Sequence, residues 1–146
     1  MLALGNLAPA DRENKLDAIL EAYLAPISGS KLTDAANTMR GAAAIACAKP
    51  YLADHIVKSI LAVEQARYAT REGRNVAIGH AIRALDALFP PLQNQPGVLS
   101  FVRRQTKNPR RATRNKARKF LAKWPPAGCK TAFRQNAITR PTKAGR

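Results

Sequence analysis

A pattern that ends in proline recurs four times along this chain and sets what it can fold into. Ala3-Leu4 precedes Pro9, Ala44-Ile45 precedes Pro50, Ala84-Leu85 precedes Pro90, and Lys119-Phe120 precedes Pro125. The prolines lie 41, 40 and 35 residues apart, and a large apolar residue always stands five positions before them. Proline lacks an N–H and disfavours helical geometry at the residue before it, so each copy marks a helix end. Self-similarity at this period is the mark of a solenoid of stacked helical pairs.

Between the prolines the apolar residues keep a helical period. Leu16, Ile19 and Leu20 follow Pro9 at offsets of 7, 10 and 11, and Val57, Ile60 and Leu61 follow Pro50 at the same offsets. Steps of three, four and seven put such side chains on one helix face. The spacing predicts helices over 12–25, 31–48, 51–66, 72–89, 96–107 and 110–123, with a stub at 2–8. Thr33 and Asp34 are expected to cap the helix at 31–48, and Asn108-Pro109 to cap and open the last one. The second helix of each pair carries the tighter seam: Ala35, Met39, Ala42, Ile45 and Ala46; then Val76, Ile78, Ala81, Ile82, Leu85 and Phe89; then Ala117, Phe120, Leu121 and Trp124. No pair can bury both of its faces alone, so stability must come from stacking on neighbours. Beyond Trp124 the periodicity stops. The expected organisation is a repeat domain over 1–125 and a disordered basic tail over 126–146.

Charge divides the chain differently from the prolines. The net charge is +16, yet residues 1–102 hold 10 Lys/Arg against 9 Asp/Glu, while residues 103–146 hold 15 Lys/Arg and no acid. The first part reads as an ordinary neutral protein and the end as a seeker of polyanions. No apolar run approaches the roughly 20 residues needed to cross a bilayer, and the N-terminus lacks the basic region of a secretion signal. A cytoplasmic protein with no membrane association is the expectation. Two cysteines cannot make a disulfide framework. Cys47, in an alanine-rich helix, is expected in the core, and Cys129, among turn-formers, at the surface.

Several stretches resemble HEAT repeats. Ala3-Leu4-Gly5-Asn6-Leu7-Ala8-Pro9 looks like the end of the second helix of such a repeat. Asn108-Pro109-Arg110-Arg111-Ala112-Thr113-Arg114-Asn115-Lys116-Ala117-Arg118-Lys119-Phe120-Leu121 resembles a whole one, with its turn, its Arg, and Ala and Leu-like positions at helical spacing. Thr38-Met39-Arg40-Gly41-Ala42-Ala43 is similar to the aliphatic-then-Arg segment of the family. The resemblance covers about residues 2–124. It implies an all-α, right-handed α-α superhelix, a HEAT-like solenoid of about three helical pairs plus an N-terminal partial repeat. Two departures stand out: Asn108 takes the place of the family's Asp, and the first copy lacks its partner helix. A copy cut short in this way is expected of a short array or of a piece of a longer one.

The chain offers little catalytic chemistry. It has no Gly-rich phosphate loop followed by Lys-Ser/Thr, no paired cysteines and no His-x-x-x-His. His55 is expected to face solvent, and His80 to be a satisfied structural histidine. Asp17 and Glu21, four apart, read as a solvated helix face. No enzyme activity, cofactor or metal is expected. HEAT-like proteins include DNA glycosylases that remove alkylated bases, and a fragment of one is an alternative. The aromatics that such a groove would need (Tyr51, Tyr68, Phe101 and Trp124) are equally accounted for by packing.

The most specific lead is the basic last repeat. Arg103, Arg104, Lys107, Arg110, Arg111, Arg114, Lys116, Arg118, Lys119 and Lys123 fall within 21 residues. Arg110, Arg114 and Arg118 recur at four and are expected to line up on one side, where like charges repel by roughly 0.2–0.5 kcal/mol per pair. A polyanion would relieve that cost. The functions that follow are a non-catalytic scaffold or adaptor for a protein partner and, alternatively, a nucleic-acid-binding accessory protein. The second would hold the phosphates of DNA or RNA on these cations.

Overall fold

A computed structural model describes residues 2–125, so the tail at 126–146 and Cys129 lie outside the described residues. Seven α-helices form among the described residues: α1 (Leu2–Leu7), α2 (Lys15–Leu24), α3 (Leu32–Ala48), α4 (Ala53–Leu61), α5 (Arg71–Leu88), α6 (Gln95–Gln105) and α7 (Arg111–Lys123). No strand occurs among the described residues, and the fold class is all-α as expected. None of these helices is long and apolar enough to cross a membrane. Each expected helix is present. The ends of two are tighter than the periodicity implies, because α2 and α4 run on into 3-10 turns at Ala25–Ser28 and Ala62–Gln65.

The helices sort into two layers. The odd ones pack in series, α1 on α3, α3 on α5 and α5 on α7, while α2 packs on α3, α4 on α3 and α5, and α6 on α4 and α7. The seam residues sit where this arrangement needs them. Ile45 and Leu85 are completely buried and Phe120 nearly so, but the equivalent Leu4 is 36% exposed on the first helix of the series. Phe89 closes the far end, 5.2 Å from the ring centroids of both Phe120 and Trp124. The α1–α3 crossing depends on glycine: a Cβ on Gly5 would stand 2.6 Å from the carbonyl oxygen of Gly41.

The period of the sequence reappears in the hydrogen bonds. Tyr68 donates to the Ile27 carbonyl, Thr113 to the Asn75 carbonyl, Arg104 to Glu64, Arg110 to Glu72 and Trp124 to Asp86. Each of these bonds spans 38 to 41 residues. Each helical pair is therefore tied to the next by residues one period apart.

Lys49 makes the most unexpected of these ties. It stands immediately before Pro50, the position held by Ala8, Phe89 and Trp124 in the other copies, and is buried. Its stem fills the apolar position. Its ammonium donates to Asp11 at 2.9 Å, Asn14 at 2.7 Å and Asp17 at 3.2 Å. Asp11 in turn accepts from the backbone N–H groups of Lys15 and Leu16, both at 2.9 Å, and so caps α2. Asn14, the one non-glycine residue with positive φ among those described, makes the turn that allows this. Burial works against the Lys49 charge, but hydrogen bonds with Asp11, Asp17 and Tyr51 outweigh it and hold the ammonium above its ordinary range. The Leu16 N–H and then Lys49 hold the Asp11 carboxyl below its ordinary 3.8.

The signs fix a pH dependence. A carboxyl whose folded pKa is depressed stabilises the fold above its unfolded pKa, and that contribution is lost as pH falls through the folded value. The raised Lys49 pKa acts at the other end, stabilising below 10.5 and failing only as pH rises through the folded value. Asp11→Asn should therefore lower the melting temperature at pH 7, and the deficit should shrink toward zero as pH falls below 3.8. Melting curves between about pH 2 and 7 would show it, and a deficit independent of pH would refute it.

Five expectations about individual residues are corrected here. Ile19 is 43% exposed, although Ile60 at the same offset in the next repeat is fully buried. Val76 is only half-buried. Thr33 and Asp34 do not cap α3, whose N-cap is Lys31 with no side-chain bond. Asn108 does not cap α7 either: it is buried, its Oδ1 accepts from the Arg110 N–H, and the helix starts only at Arg111. Cys47 is exposed, because it lies seven residues after Arg40 on the open side of α3.

Candidate polyanion-binding face

Of the ten cations in residues 103–123, four are engaged within the fold, three with acids of the preceding repeat and one with its own turn. Arg104 grips Glu64 through Nε at 3.1 Å and Nη2 at 2.7 Å. Arg110 Nε bonds Glu72 at 2.7 Å, and Lys123 bonds Asp86 at 3.1 Å while lying over the Trp124 ring. Arg114 donates to the carbonyls of Asn108 and Pro109 at 2.8 and 3.1 Å, steadying the turn into α7. The expected line of Arg110, Arg114 and Arg118 is thus broken: two of the three turn back onto the protein, and Arg118 alone remains exposed. Arg103, Lys107, Arg111, Lys116, Arg118 and Lys119 have no carboxylate partner among the described residues.

The geometry brings other cations to these. A groove of about 230 Å³ between α5 and α7 is lined by Arg83, Lys116, Lys119 and Lys123 around Ile82 and Phe120. The neighbouring cleft, about 400 Å³ between α3 and α5, also has Arg83 on its wall, with Arg40, His80 and Asn37. A row of positive groups therefore runs across the odd helices from Arg40 through Arg83 to Lys116 and Lys119. The one acid on it, Asp86, is engaged by Lys123 and by the Trp124 N–H at 2.7 Å.

His80 is not the satisfied structural histidine expected. It is half-buried, makes no hydrogen bond among the described residues and faces the cleft. Burial first, then Lys116, Arg83 and Arg110, push its pKa below the ordinary value. Burial, followed by Arg83 and Arg110, likewise pushes the Lys116 ammonium down. A helix crossing positions Lys116: its Nζ lies 3.4 Å from where a Cβ on Gly79 would be, and Thr113 Oγ1 lies 3.0 Å from that point. These like charges repel one another, and bound phosphates would relieve the repulsion.

The sequence directs attention to residues 103–123 and not to Arg40, His80 and Arg83, which the structure brings beside them. The balance of +1 over residues 1–102 concealed them. Six of the nine acids of that part are turned toward neighbouring repeats: Asp11 and Asp17 toward Lys49, Glu21 toward His55 at 2.6 Å, Glu64 toward Arg104, Glu72 toward Arg110 and Asp86 toward Lys123. Asp17 and Glu21 are accordingly partners of the next repeat and not a merely solvated face. The available signal was Arg40 and Arg83, which sit 43 residues apart, close to the repeat period.

Among the described residues no three His, Cys, Asp or Glu side chains gather as a metal site would require. Tyr68 and Phe101 are packed, whereas Tyr51 is mostly exposed and donates to Asp17 at 2.9 Å. No protein-family model matches the chain, and neither a curated protein nor a solved structure is significantly similar to it.

Proposed function

We propose that this chain is a non-catalytic helical-repeat adaptor that docks the phosphate backbone of DNA or RNA across its odd helices. In this reading the two layers coil as a right-handed, HEAT-like superhelix of about three pairs plus a partial one. Arg83, Lys116 and Lys119 hold the phosphates in the α5–α7 groove, and Arg103, Lys107, Arg111 and Arg118 extend the field around the last repeat. The observation that carries this reading is the row of cations without carboxylate partners across three successive helices. Ammonium and guanidinium groups in a row meet phosphates and do not read bases, so binding is expected to be independent of sequence.

Binding of a random duplex and of a single-stranded RNA, followed by fluorescence anisotropy, tests it. With about six phosphates neutralised, affinity should fall roughly a thousandfold between about 50 and 200 mM salt. Absence of binding at the lower salt would overturn the reading. A second reading, a scaffold for a protein partner, draws support from a cleft of about 720 Å³ beside Phe89, Leu99 and Trp124. Binding through that cleft, most of whose lining is uncharged, would be much less sensitive to salt.

A further inference from the structure

The cleft between α3 and α5 differs in kind from the groove beside it. Its α3 wall presents positions 36, 37, 40 and 43, and its α5 wall positions 80, 83, 84 and 87. Both helices thus turn the same stripe toward the space. Four of these residues are alanines, two of them buried at the floor (Ala43 and Ala84), and their short side chains keep the space open between two packed helices. The other four are Asn37, Arg40, His80 and Arg83. No carboxylate lines the cleft, and none of these four has a hydrogen-bond or ion-pair partner among the described residues. Donors from two helices surround a space of about 400 Å³, within the range that holds small ligands.

We propose that this cleft binds a phosphomonoester dianion, and that on a nucleic acid it receives the phosphorylated end of a strand. The strand's phosphodiesters would then continue over Lys116 and Lys119, so the inference rests on the phosphate-backbone reading above. A phosphomonoester carries about −1.5 to −2 charges near neutral pH and three strong acceptor oxygens, against one charge and two free oxygens for a diester. Two fixed guanidinium charges, an imidazole and an amide match the first better. A diester inside the cleft would also need two ways out between the helices, whereas a strand end needs one.

The histidine provides a signature. Every charged group facing His80 is positive: Arg40 from α3, Arg83 from α5, Lys116 from α7 and Arg110 just before α7. A bound dianion reverses the sign of that environment, so the imidazole should take up a proton when the ligand binds.

The test compares one 12-nucleotide strand with a 5′-phosphate, a 3′-phosphate or hydroxyl ends, at fixed salt, on the full chain. At least one phosphorylated form should bind about tenfold more tightly than the hydroxyl-ended strand, the effect of a few charge-assisted hydrogen bonds. Ala87→Leu, at an exposed helical position where leucine is well tolerated, should fill the cleft and bring the ratio to one. It should leave the affinity for the hydroxyl-ended strand unchanged. His80→Gln should reduce the ratio without filling the space. Adenosine monophosphate forms the second arm, with the His80 ring followed by NMR. If it raises the His80 pKa and displaces the phosphorylated strand, the free nucleotide is a ligand. If it does neither while the strand keeps its preference, the strand end is the ligand. A ratio of one in the unaltered protein, with all strands bound tightly, would overturn this inference alone, as would a preference that survives Ala87→Leu. Failure of every strand to bind at low salt would overturn the backbone reading with it.

Discussion

Replacing Leu85 by Asp should abolish the cooperative fold. Leu85 is completely buried in α5, which packs against α3 on one side and α7 on the other. Removing the side chain from such a site costs about 2–5 kcal/mol before any charge is considered. A carboxylate left there with no partner adds several kcal/mol more, or is protonated at a comparable cost. The sum reaches the whole stability of a domain, about 5–15 kcal/mol. Circular dichroism should show loss of helicity and of a melting transition. Leu4→Asp makes the matching comparison, since Leu4 holds the same place in the repeat but is 36% exposed. Its effect should be small. Equal tolerance of both substitutions would mean that the repeat register is wrong.

The second large effect concerns binding. Reversing Arg83 and Lys119 together (R83E/K119E) replaces two attractive charges on the α5–α7 groove with two repulsive ones. Each lost phosphate contact should lower the salt slope by about one, and affinity near 0.1 M salt should drop at least about a hundredfold. Both residues are exposed and neither has an ion pair among the described residues, so the melting temperature should hardly move. Arg104→Glu is the informative contrast. It breaks the bidentate contact with Glu64, and should cost stability while leaving the slope nearly intact. If R83E/K119E binds nucleic acid with unchanged slope, the face is not the site.

How much could be read in advance follows from which interactions are local. Helix positions were legible because proline acts on its own neighbours and apolar spacing acts within a few turns. The helix starts were less legible. Lys31 opens α3 with no side-chain bond, and Asn108 is drawn inward by Asn75 and Gln105, so local capping preference loses to tertiary contact. The candidate site was half legible. The cationic run at 103–123 announced itself, but Arg104, Arg110, Arg114 and Lys123 proved to be structural. Arg40 and Arg83 became visible only once the acids nearest them in composition were seen to point elsewhere. Charge counted along a chain is a poor guide when ion pairs join residues one repeat apart. Lys49 makes the same point, since a lysine before proline reads as a surface residue until Asp11, Asn14 and Asp17 close around it.

The reach of those ties also bears on how the chain acquires its structure. Among the described residues, the longest side-chain hydrogen bond spans 41 residues, and helices pack only with close neighbours in the chain. No step of folding has to close a loop much longer than one repeat, which keeps the entropic barrier low and favours rapid folding. Folding can then advance pair by pair during synthesis. The near-neutral residues up to 102 emerge first, and the cationic segment that follows completes the stack as α7 packs on α5 and α6.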